Sequence, residues 1–147
     1  MSLLEARLPI VSLTVMVQKE AAQRLCAAPG SREVGAVSIA VQYYSQPQVL
    51  FQVSRGSFMP SPDVDSTVIR LDVRQQPPVQ LKKEEDFFRV VKAAFSQRRK
   101  TLPNTLSAGL AIPKQQALDL LERAGVASNL RAEQLSMQQF ADIANAL

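Results

Sequence analysis

Ser66-Thr67-Val68-Ile69-Arg70-Leu71-Asp72-Val73, followed at once by Arg74-Gln75-Gln76-Pro77-Pro78-Val79, divides the chain into two kinds of sequence. The first eight residues largely alternate apolar with polar and are rich in β-branched side chains, the pattern of a strand with one covered face. The two prolines then fix φ, remove two amide donors and disfavour helix in the residue before them, so they mark a linker. Upstream, Gln48–Val53 reads as a second strand and the apolar run Leu13–Val17 as a third, buried one. Lys19–Ala28 has helical composition and stops at Pro29-Gly30-Ser31, and Val37–Tyr44 is a second short helix that ends before Pro47. The stretch Ser57–Asp65 holds Pro60 and Pro62, which bar regular helix and central-strand pairing, so it reads as a stiff loop. Downstream of the linker everything reads as helix. Glu84 to about Leu102 is the first, and Pro113–Ala124 the second, stopped by Gly125. Ala132–Leu135 gives a single turn, and Ser136–Leu147 the last helix, with Ser136 as N-cap.

The expected architecture is therefore α/β: a strand-rich piece over residues 1–76, then a small all-helical domain over residues 77–147. Three strands and two short helices leave a sheet with an open apolar edge, which intact proteins cover or pair. More sheet upstream of Met1 is the simplest expectation. Apolar residues make up 46% of the 147, enough for a core. No apolar run reaches the roughly 18–20 residues of a bilayer span, and Met1–Glu5 lacks the basic start of a secretory signal. The single Cys26 reads as a buried, inert thiol, and one thiol fits a reducing cytoplasm.

The absence of histidine removes the usual general base, zinc ligand and nucleophile partner. Asp63 and Asp65 lie two apart, but no third carboxylate gives metal-ligand spacing. Asp65-Ser66 reads as a cap that opens a strand. No two of the five glycines are two residues apart, so no glycine-rich nucleotide loop is present. The net charge of +4 lies in one place: residues 82–100 carry seven cations and three carboxylates, while residues 1–81 and 101–147 nearly balance. On one helix, Phe87, Val91, Ala94 and Phe95 form an apolar stripe, and Arg89, Lys92, Ser96, Arg99 and Lys100 fall on another face. A helical rise puts Arg89 and Arg99 roughly 15 Å apart, enough to touch several phosphates. The charge alone fits equally a solvated helix end whose cations favour the negative helix terminus. Phe58, in its proline-stiffened loop, suits either a core position or a platform for an unstacked base; composition favours the core.

Three segments together resemble the small-subunit ribosomal RNA adenine dimethyltransferases of the KsgA type. They are Val17-Gln18-Lys19-Glu20-Ala21-Ala22-Gln23-Arg24-Leu25, then Phe58-Met59-Pro60-Ser61-Pro62-Asp63-Val64-Asp65-Ser66, then Phe95-Ser96-Gln97-Arg98-Arg99-Lys100-Thr101-Leu102-Pro103-Asn104-Thr105-Leu106, with Val41–Tyr44 adding to the match. The resemblance implies the C-terminal part of a Rossmann-like methyltransferase sheet followed by a helical RNA-binding domain. It implies transfer of methyl groups from S-adenosylmethionine to N6 of two adjacent adenines of small-subunit rRNA. Phe58, Pro60 and Pro62 would form one wall of the target-base pocket. Arg89, Lys92, Gln97, Arg98, Arg99, Lys100 and Asn104 would face RNA. The family's glycine-rich cofactor turn, its ribose-binding carboxylate and its Asn-Leu-Pro-Tyr type motif are absent. The chain alone is therefore expected to bind neither the methyl donor nor any metal, and to be inactive, as part of a monomeric parent without membrane attachment. Two other readings remain: a stand-alone, non-catalytic RNA- or ribosome-binding module, and the related class that methylates large-subunit rRNA. The long helical tail and the Gln-Arg-Arg-Lys run favour the small-subunit type.

Overall fold

A computed structural model of the protein describes residues 11–57 and 64–147. The chain divides into two compact units: residues 1–27 with 40–78, and residues 28–39 with 79–147. The first holds a three-stranded antiparallel sheet of β1 (Ser12–Gln18), β2 (Ser45–Val53) and β3 (Ser66–Val73), in the order β1-β3-β2. Helix α1 (Lys19–Leu25) leaves β1 directly and lies against this sheet. It is three residues shorter than its composition suggests, because Cys26 already leaves helical geometry and its amide closes on the Ala22 carbonyl at 3.0 Å. Helix α2 (Ala36–Tyr44) crosses the division between the units and runs without a break into β2.

The alternation in β3 produces the expected two-faced strand. Thr67, Ile69 and Leu71 are buried, while Val68, Arg70 and Asp72 are half-buried. Pairing carries this alternation outward: Leu13, Val15 and Val17 stand opposite Leu71, Ile69 and Thr67 on one face. On the other face Met16, Val68 and Phe51 form one row. Here the expectation of a buried β1 fails. Met16 is 53% exposed and Phe51 57%, and no strand among the described residues pairs with the outer edge of β1. Apolar content marks a strand as made to be covered; it does not state that this chain supplies the cover. Pro47 sits in edge strand β2, where a missing amide donor costs the ladder nothing, and Leu50 is the extra residue of a bulge between Val49 and Phe51.

In the second unit α3 (Glu84–Ala94), α4 (Leu102–Leu110), α5 (Lys114–Ala124) and α6 (Met137–Asn145) pack as a closed ring, α3 on α4, α4 on α5, α5 on α6 and α6 on α3. Their apolar faces bury Phe87, Leu102, Leu106, Leu120, Phe140 and Ile143 almost completely, each contributing about 1.5–3 kcal/mol by removal from water. The α3 stripe is Phe87, Val90, Val91, Ala93 and Ala94. Phe95, already the C-cap, is half-buried, with its ring 5.7 Å from that of Phe140. Ser136 caps α6 as read: its hydroxyl accepts from the Gln139 amide at 3.2 Å, and Gln139 Oε1 accepts from the Ser136 amide at 2.9 Å. Pro113 is the N-cap of α5 and Gly125, at φ 71°, its left-handed C-cap. Asn145 clamps the linker side of the unit, accepting from the Lys82 amide and donating to the Gln80 carbonyl, both at 2.9 Å.

Candidate nucleic-acid interface

The expected continuous helix from Glu84 to Leu102 is two helices with a tight connection. Helix α3 ends at Ala94, where the Phe95 amide closes on Val91 and the Ser96 hydroxyl donates to the Ala93 carbonyl at 2.7 Å. The Lys100 amide then donates to the Gln97 carbonyl at 3.1 Å, closing a turn around Arg98 and Arg99. Thr101 is the N-cap of α4, and Pro103 occupies its first turn. A proline inside a continuous helix would remove a hydrogen bond and clash with the carbonyl four residues back; at a helix start it costs nothing. Pro103 therefore begins a helix here. The 15 Å helical ruler from Arg89 to Arg99 does not apply, because Arg98, Arg99 and Lys100 are on the turn.

That turn carries three cations in consecutive positions. Gln97, Arg98, Arg99 and Lys100 are exposed in succession, and Asn104 is exposed on the first turn of α4. Arg99 and Lys100 have no carboxylate partner among the described residues. Arg89 and Lys92 are exposed on α3. Arg89, itself exposed, lies 3.5 Å from the half-buried Asp86, a pair that competes weakly with other anions. Arg98 differs: its Nη2 donates to the Val34 carbonyl at 3.2 Å. The turn also follows the C-terminus of α3, whose partial negative charge favours nearby cations.

The start of α4 offers few amides to an anion. The Leu102 amide goes to the Leu130 carbonyl at 3.0 Å, Pro103 has none, and those of Asn104 and Thr105 close on Thr101 at 3.1 and 3.2 Å. Any phosphate held here is held by side chains, which makes the site sensitive to salt.

Phe58, Pro60 and Pro62, the residues named for the base pocket, lie outside the described residues. What flanks them is described. Asp65 Oδ1 accepts from the Arg55 amide at 3.0 Å, and the Asp65 carbonyl accepts from the Lys19 amide at 2.9 Å. Asp65 thus ties the end of β2 to the start of β3 and to the β1–α1 junction, a wider role than opening one strand. Cys26 is half-buried, less enclosed than expected, and partial desolvation raises its thiol pKa.

The surroundings of four of the glycines are described. A nucleotide-type cofactor needs glycines where a side chain would block its approach to the backbone. Gly30 and Gly125 face open space, Gly56 touches only the Ser54 hydroxyl, and Gly109 faces Ala93 across a helix contact. Among the described residues no group of three or more His, Cys, Asp or Glu could hold a metal, and no helix is long and apolar enough to cross a membrane. A shallow groove of about 480 Å³, lined by Ile112, Gln116, Asp119, Leu120, Arg123 and Leu147, contains no nucleophile–base pair.

Comparison with known proteins gives a consistent picture. The family model for ribosomal RNA adenine dimethylase matches residues 1–147. Ribosomal RNA small subunit methyltransferase A of Lachnoclostridium phytofermentans is 46% identical over 147 residues, covering 99% of this chain and 51% of its own length. The protein of the same name from Desulfitobacterium hafniense is 49% identical, covering 100% of this chain and 52% of its own. The chain thus spans about half the length of the curated relatives it matches. Among solved structures, a dimethyladenosine transferase from Plasmodium falciparum superposes on 95% of this chain and 58% of its own with a TM-score of 0.79 at 24% identity. The 23S rRNA methyltransferase ErmE superposes on 98% of this chain and 57% of its own with a TM-score of 0.66 at 22% identity, so both share its fold.

Proposed function

Because the chain belongs to the ribosomal RNA adenine dimethylase family, we propose that it is the RNA-presenting part of an enzyme that dimethylates N6 of two adjacent adenines in small-subunit rRNA. The methyl donor in this reading is S-adenosylmethionine, held by the part of the relatives' length that this chain does not span. Residues 77–147 are the RNA-binding domain and residues 1–76 the C-terminal portion of the methyltransferase domain. The observation that carries the reading is the exposed cationic turn Gln97–Lys100 between two well-packed helices. A turn closed by a main-chain hydrogen bond between two packed helices fixes where the backbone carries its charge, so phosphate binding there sets the orientation of the RNA without reading its bases.

Arg89, Lys92, Gln97, Arg98, Arg99, Lys100 and Asn104 make up the proposed RNA-facing set. Phe58, Pro60 and Pro62 are proposed as one wall of the pocket for a base turned out of its stack. Reaction at an adenine amine depends chiefly on holding it in line with the donor, and nothing in that chemistry requires the missing histidine. The exposure of Met16 and Phe51, and an edge of β1 that no strand among the described residues pairs, support a covering partner in the part of the relatives' length that this chain does not span. A small-subunit rRNA substrate places the enzyme in the cytoplasm, and we propose that it acts as a monomer.

Calorimetry tests this division of labour. Titrating an RNA hairpin from the 3′ end of small-subunit rRNA into the chain should give saturable heat, and S-adenosylmethionine should give none. Micromolar binding of the cofactor would overturn the assignment of the donor site to the other half. Absence of RNA binding would overturn the RNA-presenting role.

A further inference from the structure

Sixty-four residues separate Arg98 from Val34, yet the Arg98 guanidinium donates to the Val34 carbonyl at 3.2 Å. Both residues belong to the helical unit. This bond brings a second loop, Ser31–Gly35, against the cationic turn. The loop is well defined. The Ser31 amide closes on Ala28 at 3.1 Å and the Val34 amide on Ser31 at 3.5 Å, forming a turn over Arg32 and Glu33. Val34 is 1% exposed, and the Gly35 amide donates to the buried Ser38 hydroxyl at 3.0 Å. Arg32 is exposed on this anchored turn and has no carboxylate partner among the described residues. Two residues of chain cover at most about 7 Å, so the Arg32 backbone lies close to the carbonyl that Arg98 grips. A charge-poor stretch of sequence thereby contributes a cation to the densest cationic site.

We propose that Arg32 belongs to the same phosphate-binding surface as Arg99 and Lys100, and that Arg98, instead of making the direct phosphate contact its place in the RNA-facing set would imply, is the positioning residue that brings it there. A guanidinium committed to a main-chain carbonyl has fewer donors for phosphate. Its loss should free the 31–35 loop from the turn and so remove the contribution of Arg32. This inference rests on the RNA-presenting reading and extends it to a surface built from two loops far apart in sequence.

The test is a double-mutant cycle on the full chain, read as the slope of log affinity against log salt for a fluorescein-labelled hairpin from the 3′ end of small-subunit rRNA. Arg32→Ala should lower the slope by about one, the value for one lost phosphate contact. Arg98→Ala should lower it by about one, and Arg32→Ala with Arg98→Ala by no more than Arg98→Ala alone. In two-dimensional amide spectra Arg98→Ala should shift Arg32, Glu33 and Gly35, while Arg99→Ala should leave them in place. An unchanged slope for Arg32→Ala, with a lowered slope for Arg99→Ala, overturns the inference and leaves the RNA-presenting reading standing. Additive slopes for Arg32→Ala and Arg98→Ala overturn the positioning role of Arg98. Unchanged slopes for all the variants, Arg99→Ala included, overturn both the inference and the reading beneath it.

Discussion

Gly109→Ala should destabilise the helical unit, against the usual expectation for a glycine inside a helix. Gly109 is the penultimate residue of α4, and the helix passes so close to α3 that an added Cβ would overlap Ala93 Cβ and stand 2.7 Å from Ala93 Cα. Carbon atoms prefer about 3.5–4.0 Å, so the helices would have to part by roughly 1 Å. One of the clashing atoms is backbone, so no side-chain rotation relieves it. Overpacking of this kind costs about 1–3 kcal/mol. The gain in helix propensity from glycine to alanine returns about 1 kcal/mol at most. Because one of the atoms struck is backbone, the overpacking cost lies at the upper end of that range, and a net loss of about 1–2 kcal/mol remains, roughly 5–15 °C in Tm for a unit of this size. Thermal unfolding followed by circular dichroism reads this directly. Moving the methyl across the contact, with Ala93→Gly and Gly109→Ala together, should recover stability relative to Gly109→Ala. An equal or higher Tm for Gly109→Ala alone would refute the close approach of α3 and α4.

Other predictions follow from single residues. Ala111 caps α4 in the left-handed region at φ 55°, where a Cβ costs about 1–2 kcal/mol; Ala111→Gly should raise stability in urea titrations by up to about 1 kcal/mol after the unfolded-state cost of glycine. Ser136→Ala removes the capping box of α6 and should lower stability by about 1 kcal/mol, with Ser136→Asp retaining most of it. Cys26 has a thiol pKa raised by burial, so its folded state favours the neutral form. Its alkylation by iodoacetamide at pH 8 should be slower than that of a free cysteine. The linked stability is full below the unfolded-state pKa of roughly 8.5 and is lost as pH rises from there through the raised folded-state value.

Local signals carried much of the fold. The alternation of Ser66–Val73 and the caps at Ser136 and Gly125 each act within a few residues, and each of these elements formed close to where it was read, whereas the helix read as stopping at Pro29-Gly30 already ends at Leu25. Pro103 was legible as a break in the helix but not as the beginning of another, because the same ring satisfies both and the choice depends on what precedes it. Leu102–Leu110 was accordingly missed as a helix, and the cations were set on a helix when they belong to a turn. The exposure of β1 was hidden for a different reason: an apolar strand records the cover it needs, wherever that cover comes from. The roles of Asn145, Asp65 and Arg98 depend on hydrogen bonds spanning up to 65 residues, and no window of sequence contains them. The Gln97–Lys100 run was visible as charge; its confinement to one tight turn came only with the fold.

In the proposed reading this turn holds RNA by its phosphates. The most direct measurement is the salt dependence of hairpin binding by the chain and by its Arg99→Ala, Lys100→Ala double variant, from about 50 to 200 mM KCl. Loss of two phosphate contacts should flatten the log–log slope by about two and weaken binding similarly for small-subunit and unrelated hairpins. A variant that binds with the slope and affinity of the unaltered chain would contradict the account.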